Sequence, residues 1–223
     1  MNTLGKILIG ISLLLASGCK QTTGKKLYLG NRQIKVVATT TMIADLLNNA
    51  GKGRVLVESL MGPGIDPHSY EPRESDVSRL MDADVVFYNG IHLEGKMADL
   101  FEESSKKKHV FAIADGLLPT DIRKETQTNT PDPHIWFDVQ LWIKCLEFVS
   151  AKLIEIDPEN SGVYNTNKTN YLATLNDLHK YVTLQSEKIP KEQRVLITAH
   201  DAFGYFGNAY AFQVRGVQGI NTV

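Results

Sequence analysis

The sequence predicts an α/β protein with two lobes, each with a parallel sheet covered by helices, joined by one long rigid helix. Three observations lead to this fold class. Short apolar segments typical of strands alternate with amphipathic segments typical of helices, as in parallel sheets. A long helical segment with only a narrow apolar stripe follows residue 157. After it, the order strand, helix, strand begins again at residue 194.

The first lobe is expected over residues 34–157. Its predicted strands are IKVVATT, VLVESLM, DVVFYNG and HVFAIADG, and its predicted helices are TMIADLLNNAGKG, ESDVSRLMDA and MADLFEESSKK. A polar loop, PTDIRKETQTNTPDP, leads to a further helix from about Phe137 to Ile156. Cys145 lies on the apolar face of that helix, so we expect a buried and unreactive thiol.

Residues 158–189 are predicted to form the long helix that links the lobes. Asp157 is suited to the N-cap and Pro158 to the first helical position. The apolar stripe is sparse and consists of Tyr164, Tyr171, Leu175, Leu178 and Val182. A helix with so narrow a stripe is better suited to join two lobes than to fill a core.

Residues 190–223 are expected to begin the second lobe, with strand RVLITA, helix HDAFGYFGNAYA and strand FQVRGVQGI. These roughly 34 residues are too few to bury an independent core. We therefore expect a second lobe that is incomplete in this chain. The alternative is a single domain in which the last strands join the first sheet.

The amino-terminal segment predicts export. Residues 1–18 combine a lysine with the short apolar run ILIGISLLLA, as in a signal peptide. The sequence LASGC resembles a bacterial lipobox, which implies that Cys19 becomes a lipid anchor. The alternative is ordinary signal-peptide cleavage that leaves Cys19 as a free thiol. Residues 19–33 are polar and are expected to form a tether between the lipid and the first lobe.

The overall composition excludes some classes of partner. The chain is 43% hydrophobic and 22% charged, with a net charge of -1, as in ordinary globular proteins. This charge provides no general attraction for nucleic acid or for an acidic membrane surface. We expect a small ligand or a protein partner that binds through complementary shape.

Three of the six histidines are candidate metal ligands. His68 in GPGIDPHSYEP and His134 in NTPDPHIWFD both follow Asp-Pro, and the fixed proline φ stiffens each loop. His200 ends the strand RVLITA, and His68 also follows a strand. Ligands of parallel sheets bind beyond the carboxyl ends of strands, and three neutral imidazoles in one crevice would suit zinc or a related cation. The sequence spacing leaves open the alternative that each loop is a turn whose histidine bonds only to backbone.

The other three histidines have weaker contexts. We expect His109 and His179 to be structural or exposed. His92 follows a strand and could contact a metal ligand without binding the metal itself. Asp66 and Asp132 are expected to form turns, with a hydrogen bond to a histidine ring as the alternative role. This alternative also applies to Glu71 and Asp201.

Several motifs together resemble the zinc/manganese solute-binding lipoproteins of bacterial ABC transporters. They are the lipobox, VVATTTMIADL, GPGIDPHSYEPRESD, ADVVFYNGIHLEGKM, DPHIWFDV and HDAFGYFGNAYAF, in a match that extends over residues 7–223. The resemblance implies two lobes with a divalent cation between them, held by His68, His134 and His200. It also implies a fourth ligand, a carboxylate in a loop that lies beyond this sequence.

The resemblance implies an extracytoplasmic protein that captures Zn²⁺ or Mn²⁺ and delivers it to an ABC permease. Lipid would anchor it to a bacterial membrane, in the periplasm or at the cell surface, and we expect a monomer without enzymatic activity. Three nitrogen ligands favour zinc over manganese, although the loop before His134 lacks the histidines of many zinc-specific relatives. The alternatives are a surface adhesin, or a zinc-dependent hydrolase that uses an open coordination position.

Overall fold

A computed structural model of the protein describes residues 27, 29–125 and 129–219. The predicted signal peptide (1–18) and the proposed anchor Cys19 therefore lie outside the described residues. The described end of the predicted tether packs against the first lobe, because Leu27 donates a backbone hydrogen bond to Ile156 and Leu29 is buried. None of the described helices has the length and apolar character needed to cross a membrane.

The strands form two separate parallel sheets. The strands are β1 (Ile34–Ala38), β2 (Val55–Ser59), β3 (Val85–Tyr88), β4 (His109–Ala112), β5 (Val195–His200) and β6 (Gln213–Gln218). The first sheet has the order β2-β1-β3-β4, and the second consists of β5 and β6, with every pairing parallel. The prediction of two parallel sheets is confirmed, and the alternative in which the last strands join the first sheet is wrong.

The helices alternate with these strands as predicted. They are α1 (Thr41–Ala50), α2 (Glu74–Asp82), α3 (Ala98–Ser105), α4 (Val139–Ile156), α5 (Ser161–Glu187) and α6 (Gly204–Tyr210). The helix predicted from His200 begins only at Gly204, because His200 ends β5. Two other predicted boundaries differ because short 3₁₀ turns replace regular structure. The turn Ile135–Phe137 precedes α4, and the turn Ile113–Gly116 follows β4.

Alternating side chains of the first sheet fill two cores. Val36 and Phe87 belong to the core that contains the buried residues of α1 and α4, which cover one face. Val37 and Val86 point to the other face and pack with Leu80 and other residues of α2 and α3. This period of two is the geometry of a strand buried on both sides, and it explains why the strand sequences are almost continuously apolar.

The long helix α5 has 27 residues, which corresponds to about 40 Å. Tyr164 and Leu175 are buried in the first core, whereas Leu178 is 44% exposed, so the buried stripe is narrower than predicted. The helix contacts α1 and α4 of the first lobe and α6 of the second. It is thus the element that joins the two sheets.

Asp157 and Pro158 lie at the predicted N-cap and first position, but of a 3₁₀ turn over Pro158–Asn160 that precedes α5. The Asp157 side chain makes no capping hydrogen bond there, so that part of the prediction is wrong. Its buried carboxylate instead accepts a hydrogen bond from the Tyr164 hydroxyl at 2.7 Å and lies 3.4 Å from the Arg54 guanidinium. These tertiary contacts replace the local cap.

The second sheet is covered by α6 on one side and carries exposed apolar side chains. Ile197 on β5 is 69% exposed and Val217 on β6 is 79% exposed. At the carboxyl end of β5, the chain turns toward the first lobe with His200 as the last residue of the strand.

Candidate metal centre

The side chains of His68, His134 and His200 converge between the two lobes. Each offers one ring nitrogen, and these three atoms lie within 4.8 Å of one another. The Nε2 atoms of His68 and His134 are 3.1 Å apart. His68 and His134 are buried and His200 is half-buried, so the structure brings together all three histidines that the sequence singled out.

His68 is delivered by the loop that follows β2. The Asp66 carboxylate accepts hydrogen bonds from the backbone N–H of His68 at 2.9 Å and from the Ser69 hydroxyl at 3.2 Å. These two bonds close the turn that contains Pro67. The prediction that Asp66 anchors its loop is therefore confirmed.

His134 is held by Asp132, which has both of the roles considered for it. Oδ1 of Asp132 accepts from the backbone N–H of His134 at 3.0 Å and lies 2.7 Å from Nδ1 of the ring. An Nδ1–H donated to this carboxylate leaves the Nε2 lone pair free for a cation. The expectation of a turn-forming role alone was incomplete.

Asp201 and Glu71 do not have the histidine-supporting role that was the alternative for each. The Asp201 carboxylate lies 3.6 Å from Nη2 of Arg123. Glu71 forms an exposed ion pair with Lys96 at 2.9 Å. Both carboxylates are thus engaged by cations instead of by an imidazole.

A buried polar chain supports the His134 loop from the first sheet. The Asn89 amide donates to the carbonyl oxygen of Pro133 at 2.9 Å. The buried Glu94 carboxylate accepts from the Thr39 hydroxyl at 2.6 Å and from the Asn89 N–H at 2.8 Å. Sequence reasoning missed Asn89 and Glu94, and their only signal was their place just after β3, at the carboxyl edge of the sheet.

The electrostatics of the site favour neutral imidazoles. Burial, together with repulsion from His134, lowers the pKa of His68 to about 4. Burial also lowers the pKa of His200, again with a contribution from His134. Metal ions bind the neutral ring, so these shifts keep the ligating form available at neutral pH.

The three rings line an open cleft of about 440 Å³. Trp136, Phe137 and Phe203 form part of its wall. The rings of Phe137 and Phe203 belong to different lobes and lie 4.2 Å apart between centroids. This contact closes one side of the cleft with apolar surface.

The remaining histidines lie outside this cluster. His109 stacks against Phe111 on β4, and Nδ1 of His179 lies 3.3 Å from the Tyr210 hydroxyl. His92 lines a neighbouring cavity beside His68.

Cys145 is fully buried, and burial raises the pKa of its thiol to about 12, which agrees with the prediction of an unreactive cysteine.

A family model matches most of the chain. The family is described as zinc-uptake complex component A, periplasmic, and the match covers residues 36–223. The chain belongs to this family. The family assignment agrees with the resemblance and with the two-lobed α/β fold.

Curated relatives match over nearly the whole chain. The manganese-binding lipoprotein MntA of Bacillus subtilis is 40% identical over 207 residues, which are 92% of this chain and 67% of that protein. The zinc-binding protein TroA of Treponema pallidum is 38% identical over 212 residues, 95% of this chain and 68% of TroA. The metal ABC transporter substrate-binding lipoprotein SloC of Streptococcus mutans is 34% identical, with 97% of this chain and 71% of SloC covered.

The fold is also found in solved structures. The periplasmic zinc-binding protein TroA from Treponema pallidum superposes with a TM-score of 0.82 at 39% identity, covering 86% of this chain and 69% of that one. The chain is thus a solute-binding protein of the metal ABC transporter type. The relatives support this interpretation over the adhesin and hydrolase alternatives.

Proposed function

We propose that this protein captures Zn²⁺ or Mn²⁺ with His68, His134 and His200 and delivers it to the permease of an ABC transporter. The convergence of three ring nitrogens from two lobes, all within 4.8 Å, carries this proposal. One cation can contact all three atoms only if both lobes take part. Capture and release of the ion then depend on how the lobes are arranged.

The ligand chemistry favours zinc. Three imidazole nitrogens suit Zn²⁺ better than Mn²⁺, which prefers oxygen ligands. Relatives that are named for each metal share about the same identity with this chain, at 40% for a manganese-binding protein and 38% for a zinc-binding protein. The open side of the cleft leaves room for a further ligand, from water or from a carboxylate.

The site is proposed to work outside the cytoplasm on a lipid-anchored monomer. Residues 1–18 would be the signal peptide, Cys19 the anchor and 19–33 the tether. Residues 34–157 and 190–223 would contribute the two lobes and 158–189 the linking helix. Several relatives are named lipoproteins, which supports the anchor. Incorporation of a labelled fatty acid by the wild type, and not by Cys19→Ser, would test it.

Metal titration tests the ligand assignment. Dissociation constants for Zn²⁺ and Mn²⁺ are measured by competition with a chromophoric chelator for the wild type and for His68→Ala, His134→Ala and His200→Ala. Each substitution removes a ligand, so affinity should fall by at least as much as the roughly tenfold to hundredfold typical of residues that only orient ligands. His109→Ala is the matched control on β4, away from the cluster. Wild-type affinity in the three ligand variants would refute the assignment.

A further inference from the structure

Arg123 lies in the loop before His134, and its side chain bridges the two lobes. Its Nη1 donates a hydrogen bond to Oδ2 of Asp132 at 2.8 Å, and its Nη2 lies 3.6 Å from Oδ2 of Asp201. Asp132 belongs to the first lobe, and Asp201 directly follows β5 of the second sheet. One guanidinium thus contacts a carboxylate from each lobe.

These two carboxylates flank two of the proposed metal ligands. Asp132 contacts Nδ1 of His134 at 2.7 Å through its other oxygen. Asp201 follows His200 in the chain, and its backbone N–H lies 3.1 Å from the Gln218 carbonyl, which anchors it to β6. Arg123 therefore contacts the carboxylate that holds the His134 ring, and it also contacts the carboxylate of the residue that follows His200 in the chain.

The position of Arg123 is fixed by its surroundings. Its backbone N–H donates to the Tyr205 hydroxyl at 3.0 Å, and its carbonyl oxygen accepts from the N–H of Asp132 at 2.8 Å. The guanidinium packs on Gly204, the first residue of α6, where an added Cβ would overlap with it. A Cβ at this position would require the guanidinium to shift from the place in which it contacts both carboxylates.

We propose that Arg123 is a positioning residue that holds His134 and His200 at the separation and orientation that a bound cation requires. This inference rests on the proposed function. The two rings come from different lobes, with centroids 5.4 Å apart, so their geometry depends on how the lobes are fixed to each other. A planar guanidinium can bond to two carboxylates at once, which a lysine ammonium cannot do with the same geometry.

The contact also links metal binding to lobe arrangement. A cation that draws His134 and His200 together favours the arrangement in which Arg123 reaches Asp201. By reciprocity, the Arg123 contacts must favour metal binding by the same factor. Loss of these contacts should lower affinity and speed metal release, even though no metal ligand has changed.

Three variants of the full chain test this proposal by Zn²⁺ and Mn²⁺ competition titration. Arg123→Gln removes both contacts. Asp201→Asn removes the charge of only the second-lobe partner and leaves the buried Asp132 paired, so it avoids an uncompensated buried charge. Gly204→Ala displaces the guanidinium without changing any charge. We expect affinity to fall about tenfold or more for Arg123→Gln, as is typical for residues that orient metal ligands, and in the same direction for the other two.

Matched controls exist elsewhere in the chain. Arg32 forms a more exposed ion pair with Asp84 at 2.6 Å, at the amino ends of the strands of the first sheet, so Arg32→Gln removes an arginine–aspartate pair far from the cleft. Gly162 on α5 has open space where a Cβ would be added, so Gly162→Ala is the control for Gly204→Ala. Both controls should bind metal like the wild type.

A positioning role predicts effects that a purely structural role does not. Asp201→Asn leaves the buried Asp132 paired with Arg123, so thermal unfolding of this metal-free variant should resemble that of Arg32→Gln, while its metal affinity is lower. In the Co²⁺-loaded chain, visible absorption reports ligand geometry, so the bands should change in Arg123→Gln and not in the controls.

Arg123→Lys should restore only part of the affinity that is lost in Arg123→Gln. In a double-mutant cycle on metal affinity, Arg123→Gln and Asp201→Asn should not be additive, because they remove the same contact.

The outcomes separate this inference from the proposed function. If the ligand variants lose affinity while Arg123→Gln and Asp201→Asn bind metal like Arg32→Gln, the role of Arg123 is overturned and the metal site stands. If His68→Ala, His134→Ala and His200→Ala all bind like the wild type, the metal site itself fails. If Asp201→Asn is thermally less stable than Arg32→Gln and the Co²⁺ bands of Arg123→Gln do not change, Arg123 has a structural role only.

Discussion

Oδ1 of Asp132 lies 2.7 Å from Nδ1 of His134, and both residues are almost completely inaccessible to solvent. Because the backbone N–H of His134 donates to the same oxygen, the carboxylate fixes both the position and the rotation of the ring. A buried carboxylate in this place also makes the imidazole a better electron donor to a cation.

We therefore expect Asp132→Asn to weaken metal binding by about tenfold to a hundredfold, in a range typical of residues that orient histidine ligands. The amide can still accept one hydrogen bond, but the charge that favours a cation nearby is lost. Chelator competition with Zn²⁺ measures the change. Asp84→Asn, which breaks the Arg32 pair at the other end of the sheet, is the control and should retain wild-type affinity. Equal affinity in the two variants would contradict the role of Asp132.

Asn89 should contribute mainly to stability. It is 1% exposed, and its amide donates to the Pro133 carbonyl beside His134. That carbonyl also accepts from the backbone N–H of Ile135 at 2.9 Å, so Asn89→Ala removes one of its two hydrogen bonds. The free energy of unfolding should therefore fall by about 0.5–1.5 kcal/mol. Urea denaturation in the presence of a chelator measures this loss. Asn49→Ala on the exposed side of α1 should change stability by less than about 0.5 kcal/mol. Similar losses in both variants would show that the bond to Pro133 contributes little.

Glu94 predicts a pH dependence of folding. Burial raises its pKa above the ordinary value of 4.5. At pH values between 4.5 and this raised pKa, Glu94 retains a proton in the folded chain that it has released in the unfolded chain. The free energy of unfolding should therefore fall as pH rises from about 4.5 through the pKa of the folded state.

Glu94→Gln cannot titrate, so its free energy of unfolding should fall less over the same pH interval. Urea denaturation of the metal-free chain across a pH series checks this, and the difference between variant and wild type removes contributions from other groups. Glu102→Gln, an exposed glutamate on α3, is the control. If the slopes for Glu94→Gln and the wild type coincide, ionisation of Glu94 does not limit stability.

Local patterns predicted most of the fold and made the three histidines candidates, whereas their joint role as ligands was implied by the family resemblance. The alternation of apolar strands with amphipathic helices specifies a parallel sheet, and His200 at the end of β5 could be placed because parallel strands direct ligands to their carboxyl ends. The two Asp-Pro-His loops were also visible in the sequence. The distance between the imidazole rings could not be predicted, because it depends on how the two lobes pack.

The supporting residues could not be predicted because their partners are distant in the sequence. Arg123 lies in a polar loop next to Lys124, and no periodicity distinguishes the two. Its importance comes from Asp201 and Gly204, which are brought near only by the fold. Asp157 shows the opposite failure. Its local pattern predicts a cap, but contacts with Arg54, 103 positions away, and with Tyr164 engage the carboxylate instead.

Substitution of Tyr205 should lower the stability of the chain with little effect on its metal affinity. It is 3% exposed, and its hydroxyl accepts from the Arg123 N–H at 3.0 Å and donates to the Asp132 carbonyl at 2.8 Å. Tyr205→Phe leaves both backbone groups without this partner, so the free energy of unfolding should fall by about 1–3 kcal/mol. The contacts of the Arg123 and Asp132 side chains are retained, so Zn²⁺ affinity should change much less than in Asp132→Asn.

Urea denaturation and chelator competition on the same Tyr205→Phe preparation test both parts of this prediction. Tyr181→Phe is the matched control, because Tyr181 is 60% exposed on α5 and its hydroxyl can bond to water. This control should leave stability and affinity unchanged. If Tyr205→Phe instead loses metal affinity as strongly as Asp132→Asn, the backbone of the 123–132 loop is what orients His134. The side-chain contacts of Asp132 would then be secondary.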